Sequence, residues 1–162
     1  MDRTFLLDAL KLRQEQLTKD MIMPVKPQKG VETVDRAPEV FTGNLPDRAS
    51  ETTKAPYIVN MVLNSTFRQL KGEQPEGFCT IRSVVCVYNE LHDEGAKSVL
   101  NILERIRINL QQFPILDRRY ELDMETGIQD VCYPDDTAPF FMGEMITVWK
   151  LPPVKREVRP WL

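Results

Sequence analysis

Two stretches of the chain carry apolar residues at helical spacing. In the first, residues 4 to about 21, Leu6, Leu10, Leu17 and Met21 fall within an arc of about 60° with Leu7 beside them. Asp2 or Thr4 supplies a cap and Pro24 a stop. So narrow a stripe predicts a helix lying on a sheet face. The second stretch spans about 94–111. Ala96, Val99, Leu100, Leu103, Ile106 and Leu110 occupy an arc of about 120°, Ile102 widens it, and Lys97, Asn101, Glu104 and Arg105 form the opposite face. Ile108 falls among those polar positions, either as one ordinary exposed side chain or as a place where another subunit lands. Pro114 ends this helix.

Elsewhere the period is two. Tyr57, Val59, Met61 and Leu63 share one face of a strand. In the next, Ile81, Val85 and Val87 share a face, and Val84, Cys86 and Tyr88 share the other. An apolar pattern on both faces predicts a central position or a buried partner surface. Residues 65–78, polar and holding Gly72, Pro75 and Gly77, are expected to be a long loop, and Phe67, Arg68 and Lys71 are its candidate contacts with a partner, which the resemblance described below would make a neighbouring ring. Residues 113–153 read as three strands, a charged short one, a second, and a long apolar one from Phe140 to Leu151. The last sets Phe141, Met145 and Trp149 against Met142, Ile146 and Val148, and it ends at Pro152 and Pro153, which forbid further ladder pairing. With two helices for so many apolar strand faces, a neighbouring subunit is expected to cover one of them.

Between the first helix and the sheet, residues 24–56 hold five prolines and few apolar residues, which excludes a long element. Glu39–Thr42 followed by Gly43 and Asn44 suits a short edge strand and a turn. The rest of this arm is either disordered or an interaction element. The expected fold is therefore α+β: a mostly antiparallel sheet of about 4–6 strands packed with two main helices, and a proline-rich arm between. One domain, residues 1–153, with a C-terminal tail at 154–162, suits a chain of 162 residues.

Composition adds limits. The 42% hydrophobic and 28% charged residues are ordinary for a soluble globular domain, and no apolar run approaches the roughly 20 residues that cross a bilayer. No secretory leader is evident at the N-terminus, so a soluble product of the cell interior is expected, with no membrane partner. Of the net charge of −3, residues 113–151 contribute −5 and the tail +2. That distribution is the reverse of a phosphate-gripping surface. Asp123, Glu125, Asp130, Asp135 and Asp136 are either a solvated acidic loop or a surface past which DNA slides without sticking.

Chemistry is hard to find. His92, the one histidine, sits in a polar linker ahead of a helix without a nucleophile or metal partner nearby. Cys79 and Cys86, seven apart in one strand, point to opposite faces, and Cys132 adds no zinc spacing. Asp135 and Asp136 stand in an ordinary turn sequence, and no glycine precedes a Lys-Ser/Thr pair. No catalytic residue, metal or cofactor is expected, and an enzyme is not. An enzyme or nuclease accessory with a small-molecule pocket and a monomeric adaptor that binds through its proline arm are the competing classes.

One resemblance sharpens this. Pro56-Tyr57-Ile58-Val59, then Ser83–Tyr88, then the helix Val99–Arg107 before Pro114-Ile115-Leu116, then Arg119–Leu122, and finally Gly143 and Thr147-Val148-Trp149 running into prolines, form a succession. It resembles the tail terminator (tail completion) proteins of long-tailed bacteriophages over about two thirds of the chain, with Glu39–Pro46 similar to the family's short strand. The resemblance implies a virion protein made in the host cytoplasm and placed at the top of the tail. There it forms a hexameric ring that caps the tail tube, stops tube polymerisation and joins the tail to the head-neck complex. Its partners would be further copies of the chain, the tail tube protein and a head-completion or connector protein, with genomic DNA passing without specific binding. Phe41, Ile108, Phe141, Met145 and Trp149 are the candidate subunit contacts, and the five acidic residues above the candidate lumen. The alternative is another neck component, a head-completion or connector adaptor on the portal side.

Overall fold

The computed structural model describes residues 2–30, 32–44, 54–134 and 138–157. In chain order the elements are α1 (Asp2–Thr18), β1 (Glu39–Thr42), β2 (Tyr57–Arg68), β3 (Glu76–Tyr88), α2 (His92–Gln112), β4 (Ile115–Leu116), β5 (Tyr120–Leu122), β6 (Gln129–Cys132) and β7 (Phe140–Leu151). The seven strands form one sheet in the order β1-β2-β3-β7-β5-β4, with β6 beside β5 on the outer side of β7. Only the β1–β2 pair is parallel. The class is α+β with a mostly antiparallel sheet, as expected, and the seventh strand is the two-residue β4.

The long strands set the faces. β3 pairs with β2 from Glu76 to Cys86 and with β7 from Gly77 to Tyr88. One face, with Cys79, Ile81, Val85 and Val87 of β3 and Phe141, Met145 and Trp149 of β7, lies under the two helices. The other carries Tyr57, Val59, Val84, Cys86 and Tyr88, with Phe41, Met61, Phe140 and Met142 partly buried against them. Cys79 and Cys86 do fall on opposite faces. Each fully buried side chain of this size contributes roughly 1.5–3 kcal/mol of transfer free energy, so the helix-covered face dominates stability.

Two sequence expectations change. The loop placed at 65–78 is strand at both ends: pairing continues from Asn64↔Thr80 to Arg68↔Glu76, and only residues 69–75 connect the arms. A bulge lies between Val62 and Asn64, which puts Leu63 out of step with Tyr57, Val59 and Met61 and leaves it exposed. Simple alternation fails there, and Ser65, Thr66 and Phe67 carry the strand onward. The helices shift as well. α1 ends at Thr18, whose hydroxyl donates to the Gln14 carbonyl at 2.8 Å, rather than near Pro24. In α2 the buried positions are Gly95, Val99, Ile102, Leu103, Ile106 and Leu110, so Ala96 and Leu100 face outward.

The buried stripe of α1 is half polar. Leu6 and Leu10 continue into Gln14 and Thr18, while Leu17 and Met21 pack at the margin. Gln14 Nε2 donates to Asn60 Oδ1 at 3.1 Å and Asn60 Nδ2 donates to Gln14 Oε1 at 2.6 Å. Ser83 Oγ donates to Asn60 Oδ1 at 2.6 Å, so α1, β2 and β3 are pinned by one buried network. From further along α1, Arg13 donates to Asn109 Oδ1 at 2.9 Å and to the carbonyls of Phe113 and Ile115 at 3.2 Å. It thereby occupies the carbonyl end of α2, where a cation is favoured.

The arm returns on itself. Met23 and Arg36 exchange backbone hydrogen bonds of 2.9 and 3.1 Å, and Lys26 stands 5.7 Å from the Phe140 ring centre. The Arg36 guanidinium donates to the carbonyls of Lys54 at 2.6 Å, Pro56 at 2.9 Å and Ala37 at 3.1 Å. Both flanks of β1 are thus tied to the start of β2.

Two glycines let α2 sit close on β7. A Cβ at Gly95 would stand 2.2 Å from the Phe141 ring, and one at Gly143 would stand 2.7 Å from Val99 Cγ1. Gly95→Ala gains about 1 kcal/mol of helix propensity but overpacks a filled site at about 1–3 kcal/mol. The expected outcome is a melting temperature lowered by up to about 6 °C, and calorimetry showing a rise would refute the close approach. Gln14→Ala strands the Asn60 amide in the core, and urea denaturation should show a loss of about 2–4 kcal/mol. Replacing Gln14, Asn60 and Ser83 together with apolar residues of similar volume should recover much of that loss.

Candidate functional site

The surface offers three features that the folded core does not use: a ribbon end, a groove beneath it, and bare strand edges, among them those of β1 and β6. The ribbon is the far half of β2 and β3. Leu63, Phe67 and Leu70 are exposed along it, Phe67 at 62%. Across the ribbon Arg68 pairs with Glu76 at 3.1 Å and lies 5.5 Å from the Phe78 ring centre, which stiffens the two arms against each other. Lys71 lies in the connection at the tip, just before Gly72, whose φ of 81° turns the chain. Phe67, Arg68 and Lys71 are therefore together at one end of the molecule, on a paired ribbon and its tip, not on a loose loop.

Beneath the ribbon, at the N-terminal end of α1, is a groove of about 530 Å³. Phe67, Gly77, Leu151, Pro152 and Val154 give it apolar walls, and Arg3, 5.8 Å from the Phe67 ring centre, borders it. A side chain at 77 would meet the Phe67 ring at 3.0 Å, so glycine there lets the ring fold toward the sheet. The spacing of Phe67 and Gly77 gave no sign of this contact, because the turn between them had to be placed first.

The candidate subunit contacts separate. Phe141, Met145 and Trp149 are 5%, 1% and 0% exposed, in the core beneath α2, and are not interface residues of the folded chain. β7 is apolar on both faces, and sequence alone does not say which face meets the helices. The answer is the odd-numbered one, where Trp149 Nε1 also donates to Thr147 Oγ1 at 2.9 Å. Its other face is half-buried, and there Glu144 pairs with Arg82, which also donates to Tyr133 Oη at 2.7 Å. The Glu144 hydrogen bond is the main cause that pushes the Arg82 pKa up, so Arg82 remains a cation. Phe41 is on the edge strand β1, partly buried, with its ring 6.5 Å from that of Tyr57 in an edge-to-face pair. Ile108 is exposed on α2 beside Leu17, Met21 and Arg105, in a shallow depression.

The acidic set divides too. Asp123 is 7% exposed and belongs to a turn, accepting from Thr126 Oγ1 at 2.6 Å and from the Glu125 amide at 3.3 Å. It is a structural carboxylate, and it does not line a surface. Glu125 and Asp130 are exposed, and Asp135 and Asp136 lie outside the described residues. Among the described residues no group of three His, Cys, Asp or Glu is close enough to hold a metal ion, and no helix is long and apolar enough to cross a membrane. His92 opens α2 with its ring 5.5 Å from that of Phe141.

The strand edges are the third feature. β1 pairs with β2 alone, and β6, exposed at all four positions, pairs with β7 alone among the described residues. Gln129–Cys132 has no alternating pattern that would mark it as an edge strand. Its place follows only from the pairing with β7.

Asp123→Ala removes the turn anchor and should lower the melting temperature by about 2–6 °C, whereas Glu125→Ala should leave it within about 1 °C. Equal, negligible effects would return Asp123 to the surface set. No protein-family model matches this chain, and no curated protein sequence matches it.

Proposed function

We propose that this chain is a structural ring protein of a phage tail, a terminator that caps the tail tube and joins it to the head-neck complex. What supports the reading above all is one correspondence. The segments that resemble the tail terminator family, Pro56–Val59, Ser83–Tyr88, Val99–Arg107, Arg119–Leu122 and Thr147–Trp149, fall on β2, β3, α2, β5 and β7, with Pro56 and Arg119 just ahead of their strands, and these elements form one continuous sheet-and-helix unit. Its surfaces suit assembly better than chemistry. A closed ring uses one heterologous contact repeated around the axis, so each copy needs two different complementary patches. The bare edges of β1 and β6, at opposite sides of one sheet, are such a pair. The ribbon end with Phe67, Arg68 and Lys71 then projects as a contact toward a neighbouring ring, the tail tube on one side or the connector on the other.

Exposed carboxylates such as Glu125 and Asp130 repel phosphate and suit a surface past which DNA moves without capture. The ring reading is tested by light scattering of the purified protein with negative-stain images of the same sample, alone and mixed with assembled tail tubes. The expected result is six times the monomer mass and closed six-fold rings with an open centre. A monomer in both samples, with tubes left uncapped, would overturn the reading.

A further inference from the structure

We infer that the ring closes by strand addition: β1 of one copy pairs antiparallel with β6 of the next, in the register Val40↔Cys132, Phe41↔Val131 and Thr42↔Asp130. This rests on the ring reading and specifies its interface. The argument begins with backbone direction. Glu39 N donates to Pro56 O at 3.1 Å and Gly43 N to Asn60 O at 2.7 Å. In a parallel ladder alternate residues point inward, so Glu39, Phe41 and Gly43 face β2, and the amides and carbonyls of Val40 and Thr42 face out. On the other side, Tyr133 N donates to Met142 O at 3.0 Å. With Val131 opposite Glu144 and Gln129 opposite Ile146, those residues bond to β7 and the backbone of Asp130 and Cys132 faces out. Each edge thus presents two residues with their amides and carbonyls directed away from the sheet and unpaired among the described residues.

The two edges fit each other in spacing, direction and face. Counting across the sheet, β1 and β2 run one way, β3 the other, β7 back, and β6 opposite to β1. A second copy in the same orientation therefore brings β1 antiparallel to β6. Pairing Val40 with Cys132 also pairs Thr42 with Asp130, so all outward groups are used at once. The residues between, Phe41 and Val131, then form the close non-hydrogen-bonded pair. They lie on the same face of the continued sheet, Phe41 through its partner Val59 and Val131 through Glu144. Val131 is 51% exposed in the single chain, and Phe41 is partly exposed beside it in the assembly. Neither strand carries the lysine or proline with which sheet edges are commonly protected.

The test is a disulfide that can form only between copies. Within one chain β1 and β6 are separated by three strands, about 19 Å, well beyond disulfide reach. Phe41→Cys with Val131→Cys, in a Cys132→Ser background, should give a ladder of covalent oligomers under mild oxidation, reversed by reductant. Each single cysteine variant should give none beyond dimers. A sample that scatters as a ring but forms no ladder overturns the strand pairing and leaves the ring reading standing. A sample that stays monomeric, free and with tubes, overturns both. Proline supplies the second measurement. Asp130→Pro removes an amide directed outward, so the monomer should melt within a few degrees of the parent while its oligomers are lost. Val131→Pro removes an amide bonded to β7 and should lower the melting temperature as well. Oligomers that survive Asp130→Pro overturn the proposal.

Discussion

α2 lies against β7 with no room for a side chain at Gly95 or Gly143, where an added Cβ would stand 2.2 and 2.7 Å from Phe141 and Val99. That close approach decides which side of β7 is interior. Once the odd-numbered residues of β7 are fixed beneath the helix, the ladders to β3 and then to β2 assign every other strand position to a face. The polar network of Gln14, Asn60 and Ser83 sits on the same side and admits one placement of α1, since a one-residue slip would carry Asn60 and Ser83 to the opposite face. Helix contact and buried polarity together leave the second face with Tyr57, Val59, Val84 and Cys86 at its centre and Phe140, Met142 and Glu144 half-covered.

The same arrangement explains why the surface features lie at the periphery. A central strand that is paired on both sides offers nothing to a partner, and β3 and most of β7 are in that condition. What remains is at the ends of strands and at the ends of the sheet: the ribbon beyond the bulge at Leu63, the groove where β7 gives way to Pro152, and the outer strands β1 and β6. At these margins the chain presents backbone groups and apolar side chains such as Phe67, Leu70 and Val131.

Much of the fold was legible in the sequence where periodicity was long and uninterrupted. α2, the two faces of β3, the stop at Pro152 and the short strand Glu39–Thr42 follow from spacing alone. The failures have separate physical causes. The bulge broke the alternation of β2 at Leu63, so a ribbon read as a loop. Gln14 and Thr18 displaced Leu17 from the buried stripe of α1, because Asn60 and Ser83 wait opposite them and no sequence pattern within α1 records that. Of the candidate site, Phe67, Arg68 and Lys71 were found as neighbours. Phe141, Met145 and Trp149 were misassigned because apolar character on both faces of β7 does not reveal which face a helix covers. Asp123 looked like surface charge, and its short bond to Thr126 shows why composition cannot separate a turn anchor from a solvated carboxylate.

The Arg36 guanidinium, which gathers the carbonyls of Ala37, Lys54 and Pro56, has a consequence for how this chain can vary. It fastens the chain just before β1 to the chain just before β2, forming a neck. The entropy of closing such a loop grows only logarithmically with length, by about 0.6 kcal/mol for each doubling. Residues inserted between the two fastened points would therefore add little closure cost. The neck makes this segment a tolerant place for a tag or a grafted peptide, and a place where related chains can differ in length while keeping the same sheet.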